Sequence, residues 1–138
     1  ETVDGVWGKF LHISPKLVPG RYGVLEYFLQ TPSYHRVHHA RNLRYMDTNY
    51  TSITLFWDWL FRTLQPLRDD EKVEYGITRE VDSESWRDVQ LGEFVSLWTD
   101  LKQAPGLGNK LRYLFMPPGW SHTGEHKTVS AQRAQLNS

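Results

Sequence analysis

The stretch TPSYHRVHHARNLRYMDTNY, residues 31–50, carries three of the chain's six histidines, His35, His38 and His39, within five consecutive positions. Thr31 followed by Pro32 reads as a helix start, because Thr suits the N-cap and Pro suits the first helical position. Successive residues of an α-helix turn by about 100°. His38 then projects roughly 60° to one side of His35 and His39 roughly 40° to the other, so the three rings share a face. Arg36 and Val37 point away from it. Three imidazoles so close repel one another when charged, and neutral imidazole is the form that ligates a metal. The spacing predicts metal ligation, to one ion or divided between two. A solvated histidine patch at a polar helix end is the competing reading.

Working outward, VWGKFLHI reads as the end of a helix and carries His12, either a core histidine or a fourth ligand. SPKLVPGRYG is a loop, punctuated by Pro15, Pro19 and Gly20. VLEYFLQ reads as a short amphipathic helix that stops before Pro32. Beyond the box, RNLRYMDTNYTS is a polar structured loop. ITLFWDWLFRTL is a helix apolar around nearly its whole circumference, a pattern of burial in a core or against lipid. QPLRDDEKVEYGITREVDSES is charged and turn-rich, with one extended segment at KVEYGI. Two further helices, LGEFVSLWTDLKQA and GNKLRYLFM, flank PGLG. The tail after PPGW is polar and expected to fray; its His122 and His126 read as solvated. The fold class is mainly α with loop-rich connections.

At 138 residues the chain has the length of one domain, and its 16 basic residues balance 16 acidic ones, which gives no push toward nucleic acid. The absence of cysteine removes disulfides, thiolate nucleophiles and sulfur-ligated metal. Aromatic residues make up 14%, including six tryptophans, a content that suits a lipid–water boundary, a core or an interface alike. No window reaches the run of about 20 apolar residues that spans a bilayer, and no signal peptide is evident. A first residue of Glu points to a processed product, a trimmed chain or the end of something longer. By ligand type, histidine suits iron and zinc equally.

The box, together with LFWDWLFRTL downstream and WGKFLHISPKL upstream, resembles the C-terminal histidine box of the fatty acid hydroxylase superfamily, the sterol desaturase-like membrane oxygenases. EYGITREV and PPGW are similar to tails of its bacterial and alkylglycerol monooxygenase-like members. The resemblance runs from about Trp7 to Trp120. It implies a multi-pass membrane enzyme with a histidine-rich di-iron centre that uses dioxygen and an external electron donor to hydroxylate or desaturate a lipid-like substrate. By position it implies metal ligation by His35, His38, His39 and His12. Asn42, Asp47, Asn49 and Asp58 are implied to orient the imidazoles by hydrogen bonds or to serve the loop structurally. Thr51 and Arg62 stand where the family often has glycine.

Earlier histidine boxes and spanning helices are absent from the sequence. Residues 1–120 are therefore expected to be the C-terminal, cytosolic part of a larger enzyme, inactive alone, with 121–138 a flexible tail. The membrane would be reached through N-terminal helices, and an electron-donor protein is a possible partner. Two other classes stay open. A zinc-dependent hydrolase would use metal-bound water, although no HExxH and no nearby Glu base is present. A non-catalytic helical interaction module would use the histidines structurally.

Overall fold

Where length suggests one core, the chain divides into two compact units, residues 1–77 and 78–138. The computed structural model describes residues 2–77 and 80–136. Residues 78 and 79 of the turn-rich stretch, and 137 and 138 of the polar tail, lie outside the described residues.

In the first unit α1 spans Val3–Leu11. Thr2 caps it, its hydroxyl oxygen accepting the Gly5 N–H at 3.3 Å, while Asp4 and Lys9 complement the helix dipole at the two ends. VLEYFLQ yields a short 3-10 helix at Gly23–Tyr27 rather than an α-helix. Glu26 turns inward there, and its carboxylate is buried under hydrogen bonds from the Tyr22 N–H and the Ser33 hydroxyl. Helix α2 spans Pro32–His38 with His39 as its C-cap, so the box does lie on a helix. Thr31 takes the N-cap position, but its hydroxyl contacts Glu26 and Ser33 instead of the helix amides.

Helix α3 is only six residues, Phe56–Phe61. Arg62 ends it in the left-handed conformation, φ 60°, a backbone state that ordinarily selects glycine. Burial in a core, one of the two expectations for this segment, fails within the unit: Trp59 and Phe61 are each 69% exposed, and Asp58 is its one buried residue. The reason lies in the interior. Its apolar part is small, Val37, Ala40 and Tyr45 with Leu67 and Val73 packed against them. Much of the remaining buried volume is polar, with Gln30, Asn49 and Asp58 hydrogen-bonded there. Helix α1 packs on α2, and the KVEYGI segment returns to the box through a bridge between Ala40 and Tyr75.

The second unit contains α4 (Trp86–Gln103), α5 (Gly106–Phe115) and α6 (Val129–Leu136), the last within the tail expected to fray. Helices α4 and α5 pack together, and neither contributes a buried residue. PPGW has a steric logic. Gly119 sits at φ 84°, and a Cβ there would lie 2.6 Å from the Lys127 backbone, whose N–H donates to the Gly119 carbonyl at 2.7 Å. Trp120 then stacks against His126 and edge-on against Tyr113. Tyr113 also hydrogen-bonds the His122 ring at 2.9 Å. Among the described residues no helix is long and apolar enough to cross a membrane. The element order is helical throughout, with isolated bridges in place of strands among the described residues.

Candidate metal centre

His12, His35 and His39 converge. His12 is the C-cap of α1, and the packing of α1 on α2 brings it across 23 positions of sequence to His35, Nε2 to Nε2 at 3.1 Å. His39 Nε2 lies 3.0 Å from the same His35 nitrogen. Ligating atoms of all three fall within 4.8 Å of one another, and no carboxylate joins the group among the described residues.

The tautomers follow from the backbone. Gly8 offers a carbonyl oxygen 2.7 Å from His12 Nδ1, so that nitrogen must donate and a neutral His12 presents a bare Nε2. If His35 Nε2 carries a hydrogen, it can serve His12 or His39 but not both. If it carries none, it faces the lone pair of His12. Neutral rings therefore leave at least one contact unsatisfied. A metal ion facing three bare Nε2 atoms resolves it, where a proton cannot, because His35 Nε2 offers a single in-plane site. Burial, then the neighbouring His39, His12 and His38, push the His35 pKa down to about 4. Burial, then His38 and His12, hold His39 below its ordinary value as well. Both rings are thus held in the neutral form, the form that ligates a metal.

His38 stands aside from this trio. Its ring lies parallel to that of His35, with centroids 5.7 Å apart, and its Nδ1 donates to the Thr48 carbonyl at 3.1 Å. Its Nε2 is left bare by the same tautomer argument. The Tyr50 ring meets it edge-on at 6.1 Å.

None of the four expected polar residues hydrogen-bonds an imidazole among the described residues; Asn42, Asn49 and Asp58 hydrogen-bond the backbone around the box. Asn49, almost wholly buried and at φ 55°, donates to the carbonyls of Tyr34 and Gln65 and accepts the Gln65 N–H at 2.8 Å. It ties the polar loop to α2. Asp58 receives the N–H groups of Tyr50 and Thr51 and the hydroxyls of Thr51 and Thr63, the last two at 2.6 Å. Its carboxylate thereby sets the loop that delivers the Thr48 carbonyl to His38. Asn42 closes the far end of the box onto Lys72 and Glu74, and Asp47 is a left-handed loop residue at φ 54°.

A groove of about 540 Å³ opens beside the trio, lined by apolar Leu11, Ile13, Pro15 and Ile77 and by Arg36. Helical projection places Arg36 away from the histidines. In the structure it is 8% exposed and lines the same groove, because the loop of residues 18–20 folds over it and accepts its guanidinium hydrogens at Val18 and Gly20. The sequence carried no signal for that loop's path. The Gly8 carbonyl, a tautomer-setting group, was equally invisible.

A sequence profile of the family described as fatty acid hydroxylase matches residues 1–63, the stretch that holds all four of these histidines. Residues 1–63 belong to that superfamily. Within it, the chain is 42% identical over 98 residues to an alkylglycerol monooxygenase of Xenopus tropicalis and 41% identical to that of Homo sapiens, each match covering 71% of this chain. The Caenorhabditis elegans alkylglycerol monooxygenase is 34% identical over 110 residues. The chain spans 22% of the length of the first two relatives and 21% of the third. No solved structure matches it.

Proposed function

We propose that this chain is the C-terminal histidine-bearing part of an iron-dependent, dioxygen-using enzyme that oxidises a lipid-like substrate, an alkylglycerol, fatty acyl chain or sterol. The observation that carries this reading is the trio of Nε2 atoms that neutral rings cannot satisfy among themselves. The spacings of 3.1 and 3.0 Å bring these nitrogens close enough to share one ion, and the choice of iron rests on the family match. His12, His35 and His39 would hold one ion and His38 would contribute to a second, completed by histidines outside this chain.

Bound iron supplies what side chains cannot, reaction of dioxygen with an unactivated C–H bond. The residues of this chain prepare the place for it. Gly8 and Thr48 fix the donor nitrogens, Asn49 and Asp58 hold the loop and helix that carry them, and the groove admits an apolar chain beside the trio. The membrane is reached through helices outside residues 1–120, with this part on the cytosolic side, residues 121–138 an appendage, and electrons delivered by an external donor. The chain alone is inactive on this reading.

The test is metal analysis on the chain loaded anaerobically with Fe(II), and product analysis on the full-length protein, each with and without His35→Ala. Iron retained by wild type and lost in the variant, with product lost in the full-length variant, is the expected result. Unchanged iron and product in the variant would refute the assignment.

A further inference from the structure

The groove beside the histidine trio is apolar along Leu11, Ile13, Pro15 and Ile77, yet Arg36 is among its lining residues. Arg36 is 92% buried by its 8% exposure. It donates to two carbonyl oxygens, Gly20 at 2.8 Å and Val18 at 3.5 Å. It forms no ion pair among the described residues, unlike Arg21, Arg41, Arg44 and Arg68 of the same unit. Buried charges are ordinarily paired. A guanidinium has five N–H donors, and two carbonyls leave donors unspent.

Resting on the lipid-oxidising reading above and deepening it, we infer that the groove takes a single-chain amphiphile with an anionic head group, a carboxylate or phosphate. The head pairs with Arg36, and the hydrocarbon lies against Ile13, Pro15 and Ile77. Arg36 and His35 are consecutive residues on α2, so an anchored head fixes how far along the chain the histidine trio stands. A neutral head would leave the buried charge unmatched, and a charge-assisted fork to an anion is among the stronger single contacts a protein makes.

The experiment is calorimetric binding to the metal-free 138-residue chain, below the micellar concentration, of dodecyl phosphate, dodecanoate, 1-O-dodecylglycerol and inorganic phosphate. Wild type is expected to bind the two anionic amphiphiles at least about tenfold more tightly than the glycerol ether, a difference of roughly 1.4 kcal/mol, and inorganic phosphate weakly. Arg36→Gln should level the three amphiphiles. Ile13→Trp, which fills the groove, should weaken all three.

Equal affinities in wild type, or a preference surviving in folded Arg36→Gln, overturns the proposal. Should that variant fail to fold by circular dichroism, Ile13→Trp decides: an anion preference that persists there lies outside the groove and sinks the idea, and one that vanishes supports it. Iron retention, measured on separate aliquots of the same chain loaded anaerobically with Fe(II), separates the two readings. Anion preference without iron leaves this inference standing and removes the metal assignment; iron without the preference does the reverse.

Discussion

Asp58 shows how much one side chain organises. Each of its oxygens accepts two hydrogen bonds, three of the four from Tyr50 and Thr51 in the loop that positions the Thr48 carbonyl under His38 and the fourth from Thr63 beyond α3. Burial raises its pKa, but the hydroxyls of Thr51 and Thr63 and the amides of Thr51 and Tyr50 outweigh that and hold it below the ordinary 3.8. Glu26 is alike: burial raises it, while Ser33, the Tyr22 amide and Arg21 bring it below 4.5. For a depressed carboxyl the unfolded chain binds the proton first, so the stabilisation is complete above the unfolded pKa and disappears as pH falls through the folded one. Urea titrations should therefore show stability already falling below about pH 7, where His35 and His39 protonate first in the unfolded chain, and a further decline below about pH 5 from the two carboxyls. Asp58→Ala should flatten that decline and cost about 3 kcal/mol, since it leaves buried donors unsatisfied. The two positions where the family often carries glycine should respond with opposite signs. Arg62→Gly relieves a left-handed backbone and should stabilise by about 0.5–1 kcal/mol after the entropy of the unfolded glycine is counted. Thr51→Gly removes a hydroxyl that Asp58 uses, and should destabilise. Chemical denaturation of both variants reads the sign directly.

Among elements, the start of α2 was legible, because the Thr31–Pro32 signal acts locally. The stretches read for α4 and α5 found the helices but began at Leu91 and Gly108, inside helices that start at Trp86 and Gly106. VLEYFLQ was misleading, because the pull of Glu26 toward Arg21, Thr31 and Ser33 is tertiary and tightens the backbone into a 3-10 turn. The histidine arc was legible through the helical period. Its division into a trio and a separate His38 was not, since it depends on where α1 docks and on a loop carbonyl. PPGW was legible as a motif and its cause only in space. Gly119→Ala must add a Cβ against the Lys127 backbone at an unfavourable φ, so it should lower the stability of the second unit by about 2 kcal/mol or more. Thermal melting followed by Trp120 fluorescence measures it.

Across the whole molecule, the surface is unusually apolar. Phe56, Trp57, Trp59, Leu60 and Phe61 of α3 and Phe94, Val95 and Trp98 of α4 are all more than 45% exposed within the described structure. Sequence reasoning named these segments as apolar and could not say what faces them, because burial is a property of neighbours. Apolar surface of this extent drives association in water. The purified chain should scatter light as oligomers in plain buffer and become monodisperse in mild detergent, and paired Trp59→Ser and Phe61→Ser substitutions should reduce the scattering. Monodispersity of wild type without detergent would count against that expectation.

Helix α1 has Leu11 as its one buried residue, and just beyond it His12 reaches His35. An ion gripped by both rings would therefore staple an otherwise weakly seated segment to the rest of its unit. Amide hydrogens of Val3–Leu11 should exchange with deuterium quickly in a chelated sample and slowly after iron is restored, while those of α2 change little. The N-terminal helix would then act as a built-in gauge of occupancy, readable without any turnover.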